Sequence, residues 1–169
     1  KGSVAQQDWA VQPGDLRLAA HRIADVIYEK LTGEKGVFST RIAYVSKFAK
    51  RHSLWVADAG GHNAQTALGN SNQPIISPAW APDGQQLAYV SLESRKPVVY
   101  VHEVASGRRR LLANFRGSNS APAWAPDGRS LALTLSRDGG SQLFTIDAQG
   151  GEPRRLTQSS GIDTEPAFS

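Results

Sequence analysis

Cysteine is absent from the 169 residues, which excludes disulfides, thiolate catalysis and cysteine-based zinc sites, and leaves an oxidising compartment open. Long apolar runs are absent too: none approaches the ~18 residues that a membrane-spanning helix needs. No secretory leader pattern is present, and Lys1 in place of a starting Met reads as a processed or excised chain. Histidine is scarce. His21, His52, His62 and His102 share no ligand spacing, so no metal is expected. G-x-S-x-G, H-E-x-x-H and phosphate-cradling loops are missing. Asp163 and Glu165 stand two apart on a loop, which by itself does not make an acid–base pair. These absences argue against an enzyme and against a cofactor. The 19 basic and 15 acidic residues, net +4, are well mixed. No basic patch with interleaved aromatics marks a nucleic-acid surface, and Arg108-Arg109-Arg110 reads as a solvated strand end.

What is abundant is repetition. Pro78-Ala79-Trp80-Ala81-Pro82-Asp83-Gly84, followed by Leu87-Ala88-Tyr89-Val90-Ser91, returns 44 residues later as Pro122 to Gly128 followed by Leu131 to Ser136. A third copy begins at Pro166-Ala167-Phe168-Ser169, again 44 residues on. Leu54 to Asp58, Val99 to Glu103 and Leu143 to Asp147 repeat in step, and Ile42 to Ser46 matches Leu87 to Ser91. A period of roughly 40–45 residues is that of a β-propeller blade. The predicted fold is therefore an all-β propeller. One partial unit, two whole units and a stub give about three blades, too few for a ring, because known propellers start at about four.

Taken in order, residues 4–11 alternate like a short strand and Pro13-Gly14 like a turn. Leu16, Ala20, Ile23, Ile27 and Leu31 then fall at helical spacing, with Asp15 at the start, Lys30 in the last turn and Gly33 just past the end. Residues 1–34 are expected to be the end of an α/β domain, and residues 35–169 the partial propeller. Within a blade, Ile75 to Trp80 reads as the innermost strand A, Gln86 to Ser91 as B, Val98 to Val104 as C and Arg109 to Ala113 as D. Glu165 to Ser169 is expected to be a further A strand. The first unit has no A strand. Two copies of the chain contain six sets of strands, so a homodimer of half-propellers, each tail completing the partner's first blade, is a further expectation.

Trp80, Trp124 and Phe168 share one repeat position and are expected to be wedges between blades. Asp83-Gly84 and Asp127-Gly128 are turn chemistry. The crossings from D to the next A end in Ser77-Pro78, Ala121-Pro122 and Glu165-Pro166. In a propeller these loops gather at one mouth of the channel. The residue before each proline differs while the frame around it does not, which is what a binding site needs. Ser77, Ser118, Asn119, Ala121, Asp163, Thr164 and Glu165 are the candidate partner-binding residues.

Ala19-Ala20-His21-Arg22-Ile23-Ala24-Asp25, Tyr28 to Gly33, Thr40 to Val45 and Asn114-Phe115-Arg116-Gly117-Ser118-Asn119-Ser120-Ala121-Pro122 carry a closer likeness. With them the chain resembles the TolB family of the Tol–Pal system of Gram-negative bacteria. That family pairs an N-terminal α/β domain with a six-bladed propeller. The resemblance implies a non-enzymatic periplasmic adaptor that binds the lipoprotein Pal at the channel mouth. It implies roles in outer-membrane integrity, cell division and protein transport, with bacteriocin segments imitating the Pal contact during import. TolA engagement belongs to the family's N-terminal region, and membrane contact is through partners only. Carried over by position, contact residues fall on Ser118, Ala121, Thr164 and Glu165; Ser118 departs from a His known in the family. The alternative is the non-catalytic propeller of a prolyl-oligopeptidase-like peptidase, which would need a hydrolase domain downstream and leaves the helix unexplained.

Overall fold

A computed structural model describes residues 10–12 and 16–169. The turn at Pro13-Gly14, the helix start at Asp15 and most of the strand read at 4–11 lie outside the described residues. Ala10 and Val11 form no strand. Two compact units divide the chain, residues 1–42 with 57–64 and residues 43–56 with 65–169.

In the first unit, helix α1 (Leu16–Thr32) follows the predicted period and ends where predicted. Gly33 has φ +78° and its N–H reaches the Glu29 carbonyl at 2.8 Å, the terminator that a residue lacking Cβ permits. The chain after the helix is tied back to it. Asp25 accepts from the Phe38 amide at 2.6 Å, the Ser39 amide at 3.0 Å and the Ser39 hydroxyl. Burial pushes the Asp25 carboxyl up, but these hydrogen bonds together hold it below the usual carboxylate range. Tyr28 meets Phe38 edge to face, with centroids 5.8 Å apart. Among the described residues no helix is long and apolar enough to cross a membrane.

The strands are β1 (Arg41–Phe48), β2 (Arg51–Asp58), β3 (Gln65–Ser71), β4 (Ile75–Trp80), β5 (Gln86–Ser91), β6 (Val98–Glu103), β7 (Arg109–Ala113), β8 (Asn119–Trp124), β9 (Ser130–Leu135), β10 (Gln142–Asp147) and β11 (Arg154–Arg155). They form three sheets, in the orders β1-β2-β3, β4-β5-β6-β7 and β8-β9-β10-β11, and the ladders within the two four-stranded sheets are antiparallel. Each sheet is a run of chain neighbours, as short hairpin connections dictate. Among the described residues the partial first blade has no A strand and is a three-stranded sheet.

The B strands explain the apolar repeat. Leu87 to Ser91 on β5 and Leu131 to Leu135 on β9 are buried on both faces, hence continuous rather than alternating. Their side chains build one core with Val99, Val101, Trp124, Phe144 and Ile146, and a second with Leu54, Val56, Ile75 and Tyr89. The two turns between A and B repeat atom for atom. Gly84 (φ +66°) and Gly128 (φ +68°) donate to the carbonyls of Ala81 and Ala125, both at 2.9 Å. The Asp83 and Asp127 carboxylates accept from the amides of Gln85 and Arg129 at 2.8 and 2.9 Å.

Two expectations need correcting. Glu165–Ser169 is not a strand: among the described residues nothing pairs with it, so it lacks the ladder that would hold it extended. Strand C ends at Glu103, one residue short of the expected Val104.

Candidate functional site

All three crossings into the A position lie in the second unit, and one backbone feature unites them. Ser77, Ala121 and Glu165, each ahead of the repeated proline, have φ of 52°, 48° and 53°. The residue before a proline is disfavoured in the right-handed helical region, and a left-handed conformation costs a residue with a Cβ roughly 1–2 kcal/mol. Two of the three sit at bulges. Ile76 faces Val90 while Ala79 faces Ala88, and Ser120 faces Thr134 while Ala123 faces Ala132. Three steps on the A strand therefore oppose two on the B strand, and the extra residue is the one before the proline. Bulges re-aim side chains and recur beside functional sites. Glu165 keeps the same φ without a ladder beside it, so the crossing itself sets the conformation.

The backbone bonds that fix the crossings also repeat. Asn119 N–H donates to the Pro97 carbonyl at 3.2 Å, and Asp163 N–H to the Ser141 carbonyl at 2.9 Å, 44 residues on. Leu92 N–H donates to Pro74, and Ser136 N–H to Ser118, both at 3.1 Å. Gly117 (φ +76°) lies so close to Ser136 that a Cβ would meet its hydroxyl oxygen at 2.5 Å. That approach lets the Ser136 hydroxyl accept from the Ser118 amide at 2.8 Å. The B–C loop beside the first crossing is braced by Arg109, bidentate on Glu93 at 2.7 and 3.0 Å and lying 4.9 Å over the Tyr100 ring. Arg109 holds the Glu93 carboxyl below its usual range. Asn72, Gln73, Glu93 and Arg109 help line a cleft of about 430 Å³ there.

The predicted residues are placed unequally. Thr164 and Glu165 are exposed, Ser77 and Ser118 half-buried, and Ala121 is buried. The Thr134 hydroxyl touches that of Thr164 at 3.4 Å. Asn119 is fully buried, and its side chain is spent on the loop's own backbone. Asp163 is half-buried and accepts from the Ser159 hydroxyl with both oxygens at 3.0 Å. Among the wedges, Trp124 is 8% exposed and its indole N–H reaches the Ala79 carbonyl of the neighbouring sheet at 3.2 Å. Trp80 is half-buried, and Phe168 is 46% exposed. Two residues escaped the sequence reading. Gln142 occupies the register of Val98, and Ser136 that of Leu92; a polar residue in an apolar register was the available signal. Among the described residues no three His, Asp or Glu side chains gather as a metal site.

The family described as TolB beta propeller domain matches residues 28–169. A Tol-Pal system protein TolB from Albidiferax ferrireducens is 73% identical over 115 residues, covering 68% of this chain and 27% of that protein. Its counterpart from Bordetella pertussis is 63% identical over 107 residues, covering 63% and 24%. The chain thus spans about a quarter of the length of these relatives. The crystal structure of TolB from Acinetobacter baumannii superposes with a TM-score of 0.86 at 38% identity, over 98% of this chain and 42% of that one. Puromycin hydrolase, at 19% identity and TM-score 0.55, shares the fold alone.

Proposed function

The chain belongs to the TolB β-propeller family, and from that premise we propose that it is a non-enzymatic periplasmic adaptor of the Tol–Pal system that binds Pal through the crossings at 72–77, 114–121 and 157–165. The contact residues are Ser77, Ser118, Thr164 and Glu165; Ala121, expected among them, is 5% exposed and keeps the shared backbone turn without a side chain to offer. Outer-membrane integrity, cell division and the import of bacteriocins that imitate Pal follow from that contact. TolA engagement falls to the region before the propeller.

One observation carries the reading. Three residues in one repeat position hold the same costly backbone conformation while their side chains differ: a hydroxyl, a methyl and a carboxylate. Structure that persists at a cost is a mark of a functional site. A constant main chain with interchangeable side chains presents a surface that can be tuned to one partner without disturbing the blades. Glu165, exposed on a crossing rich in hydrogen-bonding groups, is its charged end.

The test is calorimetric titration of the chain with the soluble domain of Pal. Glu165→Ala should weaken binding by about 1–3 kcal/mol through loss of a charge-assisted hydrogen bond. Equal affinity of the two chains rejects the assignment of Glu165, and no measurable binding by either rejects the reading of the mouth.

A further inference from the structure

We propose that Asn119 and Asp163 are positioning residues for partner binding: they fix the paths of the two crossings that present Ser118, Thr164 and Glu165, and do not touch the partner themselves. The proposal rests on the reading of the mouth given above, and it divides the candidate residues into those that meet a partner and those that hold the others in place.

Asn119 and Asp163 occupy one repeat position, 44 residues apart, and donate equivalent backbone bonds into the loops before strand C. Their side chains turn the same way, back onto the residue four earlier. Asn119 Oδ1 accepts from the Phe115 amide at 2.8 Å, and Asp163 accepts from the Ser159 hydroxyl at 3.0 Å. Asn119 Nδ2 then donates to the carbonyls of Phe115 at 3.0 Å, Gly117 at 3.1 Å and Pro97 at 3.2 Å. The amide is 0% exposed. A primary amide offers two donors and one acceptor oxygen, and here all of them face backbone groups, of the crossing itself and of Pro97 in the loop before β6. Nothing of Asn119 is left for a partner, yet the turn that carries Ser118 is wound around it.

The carboxylate of Asp163 has no donors, and the second crossing obtains them from another residue. Gln142, 2% exposed, donates through Nε2 to the carbonyls of Ser159 and Gly161, both at 3.3 Å. Its Oε1 accepts from the Ser159 amide at 3.0 Å. Gln142 and Asp163 together thus supply the second crossing with what Asn119 supplies alone to the first. In the first repeat the same position is Ile75, buried in the core, and that crossing is held without a polar side chain there. A loop held this way is already in its bound shape. Releasing it lowers apparent affinity by the fraction of time the binding shape is populated, about tenfold if that fraction falls to a tenth.

The experiment measures affinity for the soluble domain of Pal, melting temperature and amide hydrogen exchange on five chains: unaltered, Asn119→Ala, Asp163→Ala, Asp163→Asn and Leu133→Val. The last loses stability from β9 while leaving both crossings intact. Asn119→Ala and Asp163→Ala are expected to bind about tenfold more weakly, with faster exchange at Gly117 and Ser118 or at Gly161 and Asp163. Asp163→Asn keeps an acceptor for Ser159 without the charge and is expected to bind like the unaltered chain. Leu133→Val is expected to melt lower and bind normally. If Asp163→Asn binds as weakly as Asp163→Ala, Asp163 meets the partner through its charge and the proposal fails for it. If Asn119→Ala binds normally although its loop exchanges faster, the proposal fails for Asn119. An equal loss in Leu133→Val reduces both effects to global stability and overturns the proposal. A chain that does not bind Pal at all overturns the reading of the mouth and this proposal with it.

Discussion

The sheets β4–β7 and β8–β11 are built on the same sentence of sequence, and their crossings into the next blade run along the same path. What differs is how each path is held. At 114–121 the crossing is wrapped around one buried amide and followed by Trp124, which is itself buried and hydrogen-bonded to the neighbouring sheet. At 157–165 the crossing is held by an exposed hydroxyl–carboxylate contact with Gln142 underneath, and is followed by Phe168, which is nearly half exposed. The path therefore belongs to the main chain and its repeated hydrogen bonds. The side chains supply whatever each position's surroundings permit, and equal positions need not carry equal energies.

The widest gap should appear at the wedges. Trp124→Ala should destabilise the chain by about 3–5 kcal/mol through lost burial and a cavity, while Phe168→Ala should cost less than about 1 kcal/mol, as exposed positions do. Chemical denaturation of both variants checks this; a Trp124 variant within error of the unaltered chain would make that aromatic a surface residue. At the next level, Asn119→Ala leaves buried backbone groups without partners and should cost about 1–3 kcal/mol, whereas removing the Asp163 carboxylate, half open to water, should stay near the low end of that range. Comparable losses in the two melting curves would abolish the distinction drawn between them.

Smaller still is the effect of relieving the left-handed backbone. Glu165→Gly should raise stability by up to about 1 kcal/mol, the relieved strain exceeding the entropy cost of glycine, while removing the carboxylate proposed to meet a partner. Ala121→Gly should come out nearly neutral, because the lost methyl, worth about 0.8 kcal/mol, is buried. If neither variant changes stability, the conformation carries no strain. The last contrast is one of pH. His102 on β6 stands where β10 has Ile146; it is buried, and among the described residues neither ring nitrogen has a hydrogen-bond partner. Burial, reinforced by the charge of Arg109, pushes its pKa below the usual 6.5. The unfolded chain therefore binds a proton that the folded chain refuses, so stability from this group is full above about pH 6.5 and falls as pH drops below it. His102→Ile should flatten that slope in denaturation midpoints measured from pH 7.5 to 5; an unchanged slope assigns it to other groups.

Blade period, strand order, the two Asp-Gly turns and the helix end were all legible, because each depends on residues near one another in sequence. The strand limits of β4 and β5 match the reading residue for residue. Less legible was the third A strand, since a strand needs a ladder and Glu165 to Ser169 has none among the described residues. At the site, the position of the crossings could be read but their polarity could not. Asn119 looks from sequence like any loop asparagine with a side chain to offer. Whether it faces out or in depends on the Pro97 carbonyl, 22 residues away, closing over it. Gln142 is a glutamine at a strand's first residue, a place that by itself does not show a side chain 2% exposed.

The order of the strands has a kinetic consequence. Every strand of the two complete sheets pairs with its neighbour in the chain, so each hairpin closes a loop of only a few residues and the entropy of closure is met in small steps. Sheets of this kind assemble from local pairings, which favour speed for a β protein. A hydrogen bond between the two sheets, Trp124 to the Ala79 carbonyl, joins residues 45 apart. Its longer loop makes it expected to form after the hairpins on either side of it. The buried tryptophan is thus expected to act chiefly on how slowly the assembled sheets come apart, and little on how quickly each one forms.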